Sequence, residues 1–257
     1  MSAIFVRPLP FTATETSPLP LGGSVANLNN DKPNMVWRFG LDAPYLIIDL
    51  GSTARSYNYV ALLGANLRAS DTVRIRTGTG TTGTGSFDGT ARAAYVGEKD
   101  EETTTKAIYP LPATRGERFV RIDLAAPSHP DGFVEFSRLV VGMSVEGEGI
   151  ELGAEQSFET QSVIATGPGF RNTDVYDSLD AWKVSTPWIK AADWRTTWAP
   201  FLRYASRGHG VLFIADETTP ATWQNEAIFG FLTNTATGKW DNANLVRFET
   251  KLIAYSR

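Results

Sequence analysis

Three aspartates at a spacing of three, Asp174, Asp177 and Asp180, and an acidic pair, Asp216 and Glu217, after the apolar run VLFIA are the residues whose type and spacing could do chemistry. Two carboxylates flanking a glycosidic bond are what acid/base hydrolysis of a glycan requires. Against that use, the three aspartates lie in a segment of turn composition, and Asp177 can cap a short helix. Asp216 and Glu217 open DETTP, an ordinary turn. His209 sits between two glycines with no nucleophile in view, and His129 is the only other histidine. The chain has no cysteine, which excludes disulfides, thiolate metal sites and cysteine nucleophiles. Two histidines do not make a zinc cluster. Residues 97–106 (GEKDEETTTK) lack the alternating ligands and central glycine of a calcium loop, and read as a solvated face. The expectation is no catalytic residue, no metal and no cofactor: a chain that binds or assembles rather than an enzyme.

The binding candidates form two groups. Asn27, Asn29, Asn30 and Asp31 stand just ahead of Trp37 in NLNNDKPNMVW. Amide and carboxylate side chains at a loop can hydrogen-bond a ligand, and a tryptophan can offer its face to a sugar. The alternative is structural: Asn and Asp form turns through their own backbone, and a large aromatic flanked by Val36 and Phe39 belongs in a core. The second group is Trp188, Trp194, Trp223 and Trp240. Six of the chain's seven tryptophans follow residue 148, and tryptophan concentrates binding energy at interfaces. The four are read as subunit-interface residues, against a core built from aromatics.

The elements that must position these groups are mostly strands. Residues 45–50 (YLIIDL), 59–63 (YVALL), 72–76 (TVRIR, with Val73 and Ile75 inward), 119–124 (FVRIDL), 133–136 and 139–141 carry β-branched residues bounded by turn signals. Residues 77–88 form a Gly/Thr loop. Farther on, residues 158–166, 211–215, 227–232 and 244–254 read as strands. Residues 177–184 read as a short helical turn. Thr197 reads as the N-cap of a helix running to about Ser206, with Trp198, Phe201, Leu202 and Ala205 on one face. The fold class expected is mainly β: an antiparallel jelly-roll β-sandwich followed by a smaller β-rich lobe with one or two short helices. The divisions are residues 1–22, an extended Pro-rich arm able to add a strand to a neighbour; 23–148, the sandwich; and 149–257, the tryptophan-rich lobe. A net charge of -4 argues against a nucleic-acid partner. With no apolar run of about 18 residues, no membrane insertion is expected, and the N-terminus reads as no signal peptide.

The succession NLNNDKPNMVW, YLIIDLG, NYVALLGANL, RFVRIDL and FSRLVVG, over roughly residues 21–144, resembles the galactose-binding-like, or discoidin-type (coagulation factor 5/8 C-domain), jelly roll. That resemblance implies an eight-stranded sandwich whose loops at one end bind glycans, lipids or protein partners. More loosely, the rhythm of the whole chain is similar to bacteriophage tail and baseplate proteins. It implies a virion structural protein located in the virion, with other virion proteins and copies of itself in a homo-oligomeric ring as partners, and a host-surface glycan as a further one. The reading from another class is a carbohydrate-binding module for cell-surface glycans.

Overall fold

The computed structural model describes residues 2–17, 20–32, 34–41, 43–101, 103–146, 154–168, 170–174, 176, 178–233 and 236–255. Its strands in chain order are β1 (Ile4–Pro8), β2 (Thr12–Ser17), β3 (Pro20–Gly23), β4 (Trp37–Phe39), β5 (Tyr45–Asp49), β6 (Tyr57–Ala65), β7 (Thr72–Gly78), β8 (Phe87–Asp88), β9 (Arg92–Ala93), β10 (Thr105–Arg115) and β11 (Phe119–Ala125). They continue with β12 (Val134–Phe136), β13 (Arg138–Glu146), β14 (Glu155–Glu159), β15 (Val163–Gly167), β16 (Phe170–Asp174), β17 (Leu179–Ser185), β18 (Ile189–Lys190), β19 (Val211–Ile214), β20 (Ile228–Leu232), β21 (Thr237–Asn242) and β22 (Leu245–Ala254). The helices are α1 (Ala191–Asp193), α2 (Ala199–Ala205) and α3 (Trp223–Glu226).

The chain is mainly β, with antiparallel sheets, as the turn-bounded apolar runs predicted. An 11-stranded sheet runs β10-β6-β13-β1-β19-β20-β22-β17-β14, with β18 and β21 also on β22. Facing its first strands is a second sheet, β2-β5-β11-β7-β8, with β9 on β7. Leu46 and Ile48, Val73 and Ile75, and Val120 and Ile122 point from this sheet into the sandwich core. Val60, Leu62, Leu139 and Val141 meet them from the large sheet. This is the period-2 logic of a strand with one face inward.

The large sheet crosses the expected division at residue 149, and residues 147–153 themselves lie outside the described residues. Strand β1 lies inside it, paired with β13 on one edge (Phe5 opposite Val145) and with β19 on the other (Phe5 opposite Phe213). The expectation of an arm free to reach a neighbour is therefore corrected for residues 4–8. Ile4, Phe5 and Val6 are apolar on both faces, which suits a strand covered on both sides and not a solvated arm. Phe5 packs with Val211, Phe213, Phe201 and Phe248 in a core shared with the helix. Ile4 and Val6 face the other way, into a cluster with Val140, Ile214 and Trp223.

Two helical expectations are also corrected. Leu179–Ser185 is strand β17, not a helical turn; residue 177 lies outside the described residues. The helix begins at Ala191, not after Thr197, and runs through a π turn at Trp194–Trp198 into α2. Pro200 explains the π turn. A proline inside a helix donates no bond and crowds the carbonyl four residues back. The turn widens ahead of it, and Ala199 N–H reaches the Trp194 carbonyl instead. The predicted apolar face is present: Trp198, Phe201, Leu202 and Ala205 are all buried. Finally, the strand expected over residues 158–166 divides into β14 and β15, and β22 is central, with β17 on one edge and β20 on the other.

Candidate functional site

The loop singled out ahead of Trp37 folds as a 3-10 turn, Val25–Asn29, capped by the Ser24 hydroxyl. Its polar side chains are spent on the chain itself. Asn27 Nδ2 donates to the Val36 carbonyl at 2.9 Å, and Asn29 Nδ2 to the Phe11 carbonyl at 2.9 Å. Asn30 Oδ1 accepts from Lys32 N–H, an Asx turn. Asp31 Oδ2 accepts from Gly210 N–H at 3.0 Å, and its Oδ1 lies 3.2 Å from Arg138 Nη2. Burial pushes the Arg138 guanidinium below its ordinary value, and Asp31 opposes that shift. The cavity beside this pair, lined also by Phe229 and Tyr255, holds about 30 Å³, room for a water and not for a sugar ring. Trp37 is 1% exposed, tilted against Phe39 and edge-on to Phe136. Its ring presents no face to a ligand. Asp31 ties this loop to the 208–210 turn, and the other four bond or pack within the sandwich half.

The four tryptophans separate. Trp223 is buried, its Nε1 donating to the Asp216 carbonyl at 2.8 Å. That placement leaves only an edge of the ring at the surface, where it lines a cleft. Trp188 is half-buried under the Arg247 guanidinium. Trp194 is half-buried and covers Gly238, whose missing side chain admits the ring. Trp240, 48% exposed, lies beneath Arg195. Trp194 and Trp240 thus converge near β21. Trp188 lies on the opposite side of β22, because Arg247 and Val246 are consecutive and face opposite ways.

The remaining chemical candidates serve turns. Asp216 accepts from the Thr218 hydroxyl and amide, bonds that hold its carboxyl below the usual range. Glu217 accepts from Tyr59 Oη. His209 is exposed and stacked on Tyr204, and His129 is buried with Nε2 2.8 Å from the Asn66 carbonyl. Among the described residues, no three His, Asp or Glu side chains gather as a metal site would need.

A different place has the geometry of a binding site. Residues 94–101 lead away from β9 as a strap beside β10, whose Tyr109 Oη donates to the Ala93 and Ala94 carbonyls. Three clefts follow that strap. The first, about 160 Å³, is lined by Phe87, Asp88, Arg92 and Pro110. It shares Arg92, Tyr109 and Pro110 with the second, about 260 Å³, which adds Tyr95, Val96 and Pro220. The third, about 380 Å³, shares the buried Gln224 with the second, and Gly97 of the strap, packed on Ala221, stands between them. In the third, Phe158 stands 64% exposed, and it pairs across β14 and β17 with Asp180, so both side chains rise from one face. Gln156, Asn225, Glu98, Lys99 and Asp100 complete the walls.

Helix α3 is tied to β10, and the strap packs against the segment just before that helix. Gln224, buried, offers its amide to both backbone groups of Lys106: Nε2 donates to the Lys106 carbonyl at 2.6 Å and Oε1 accepts its N–H at 3.0 Å. Lys106 Nζ donates to the Gln224 carbonyl and lies 3.9 Å from Asp180. Gly97, at φ +85°, passes so close to Ala221 that a Cβ would lie 2.0 Å from its carbonyl oxygen. A ring open to solvent beside carboxylate acceptors and amide donors can stack on the apolar face of a sugar and bond its hydroxyls. The sequence reading missed this site. It took residues 97–106 as a solvated face and Phe158 as an ordinary strand residue.

No protein-family model matches the chain, and no curated protein matches it. Solved structures similar to it include a CBM32-3 module from a family 31 glycoside hydrolase of Clostridium perfringens, at 13% identity and TM-score 0.41 over 54% of this chain and 94% of that one. Another is the family 32 carbohydrate-binding module of C. perfringens NanJ in complex with galactose, at 15% identity and TM-score 0.36 over 55% and 99%. A third is chitosan-binding module 1 of a chitosanase/glucanase from Paenibacillus sp. IK-5, at 19% identity and TM-score 0.35 over 52% and 95%.

Proposed function

We propose that this chain is a non-catalytic carbohydrate-binding protein that holds an extended glycan along the groove between the strap and the large sheet. The observation that carries this is the Phe158 ring, 64% exposed beside Asp180, in the widest of three adjoining clefts. An exposed phenylalanine flanked by Asp, Gln, Asn and Lys side chains is poorly explained by folding, since burial would be the favourable fate of the ring. A linear polymer suits a groove that runs past one ring and several polar groups better than a compact ligand does. Binding of the intact protein to a glycan array, repeated with Phe158→Ala and Gln156→Ala, tests the reading. Both positions are exposed, so the fold should survive. Retained binding in both variants, or no binding to any glycan, sinks it.

A second reading, a component of a phage tail or baseplate located in the virion, draws on another observation: Trp240 is exposed on a strand that, among the described residues, is paired on one edge only. Its partners would be other virion proteins and copies of the chain. Electron microscopy of the purified protein tests it, with rings or tubes supporting it and dispersed monomers opposing it.

A further inference from the structure

The open edges of the large sheet differ in what they would accept. β10 carries Pro110 and Pro112, which donate no ladder bond, and Gln224 already occupies the backbone of Lys106. β14 reads EQSFE, so an antiparallel pairing of two copies about Ser157 would set Glu155 against Glu159. Like charges directly opposite destabilise a sheet. β21 reads TGKWDN and, among the described residues, pairs only with β22. Two copies paired antiparallel about Trp240 would set Lys239 of each against Asp241 of the other. The registers one step to either side about a two-fold axis, centred on residue 239 or 241, set lysine on lysine or aspartate on aspartate.

From this charge complementarity we infer that β21 is a homotypic edge, on which a second copy of this chain adds its own β21 to make a two-fold dimer centred on Trp240. A lysine normally blunts an open edge; here the second copy supplies its counter-ion. Lys239, Trp240 and Asp241 are all exposed. The ladder to β22 shifts between Trp240 and Asn242, leaving Asp241 without a counterpart on that side. The pairing would cover both Trp240 rings, each already held by an Arg195 guanidinium at 5.5 Å. A two-fold interface of this kind is self-complementary by construction. It stands independently of the groove and of any place in a virion.

Sedimentation velocity of the intact protein over a concentration series is the test. The wild type should show a reversible dimer. Lys239→Asp and Asp241→Lys, each checked by circular dichroism for an unchanged fold, should each weaken it by about tenfold or more. The double exchange Lys239→Asp/Asp241→Lys should restore it, and Trp240→Ala should weaken it. A wild type that stays monomeric overturns the inference. So does a single charge reversal that leaves the dimer as strong, or a double exchange no better than the singles. Loss of the dimer with glycan binding intact would leave the groove reading untouched.

Discussion

Phe5→Ala tests whether β1 is the joint of the molecule. The ring is 3% exposed and lies 5.0 Å from Phe213, 5.6 Å from Phe201, 5.7 Å from Trp198 and 6.3 Å from Phe248, centroid to centroid. Truncation removes about 150 Å² of buried apolar surface, and at about 25 cal/mol per Å² this is about 4 kcal/mol. That falls within the ~3–5 kcal/mol usual for Phe→Ala in a core. For a chain of this size it corresponds to a fall of roughly 8–16 °C in Tm. Because β1 is hydrogen-bonded to β13 on one side and β19 on the other, both halves should loosen together. Urea unfolding followed by tryptophan fluorescence gives the energy, and amide exchange resolves which strands lose protection. Leu21→Ala, at an exposed position, should stay within about 0.5 kcal/mol. A Phe5→Ala effect as small as that, or lost protection confined to β19, would refute the joint.

Gln224→Ala removes both amide bonds to the buried backbone of Lys106; a loss of about 2–4 kcal/mol is expected, read from the denaturant midpoint. Gly97→Val should be worse tolerated than Gly116→Val, since only Gly97 combines a positive φ with a carbonyl in the way of its Cβ; thermal unfolding of the two variants decides it. Two hydrogen bonds from Arg118 hold the Asp49 carboxyl below its ordinary 3.8. A depressed folded-state value contributes stability that is present above the ordinary value and lost as pH falls through the folded one. Denaturant midpoints from about pH 5 to about pH 2 should therefore fall less steeply in Asp49→Asn than in the wild type.

Strands with one clean inward face were legible in the residues. Val73 and Ile75 of β7, and Val120 and Ile122 of β11, alternate with arginines and aspartate and leave no other reading. Prolines hid what was missed. Pro8 and Pro10 made residues 1–22 look like an arm, yet Pro8 only ends β1, and Ile4–Val6 carry the apolar signal of a central strand. Pro110 and Pro112 concealed β10, where an edge tolerates them. Thr197 read as a helix N-cap where the chain has a π turn ahead of Pro200. The Asn27–Asp31 loop was found, but its side chains satisfy backbone carbonyls and Arg138, a distinction that needs partners distant in sequence. The groove was illegible for the same reason. Phe158, Asp180, Gln224 and Lys99 come from four separate segments, and only the β14–β17 pairing and the docked strap bring them together.

The most direct test of the groove is calorimetric titration of the intact protein with an oligosaccharide series of increasing length, drawn from whichever glycan the array returns. Half of the exposed Phe158 ring is about 65 Å², worth about 1.6 kcal/mol when covered. Phe158→Ala should therefore weaken every member that reaches the widest cleft by about fifteenfold. The account predicts affinity that climbs with chain length until the adjoining clefts are filled. Affinity already complete with a single sugar, or indifferent to Phe158, would contradict it.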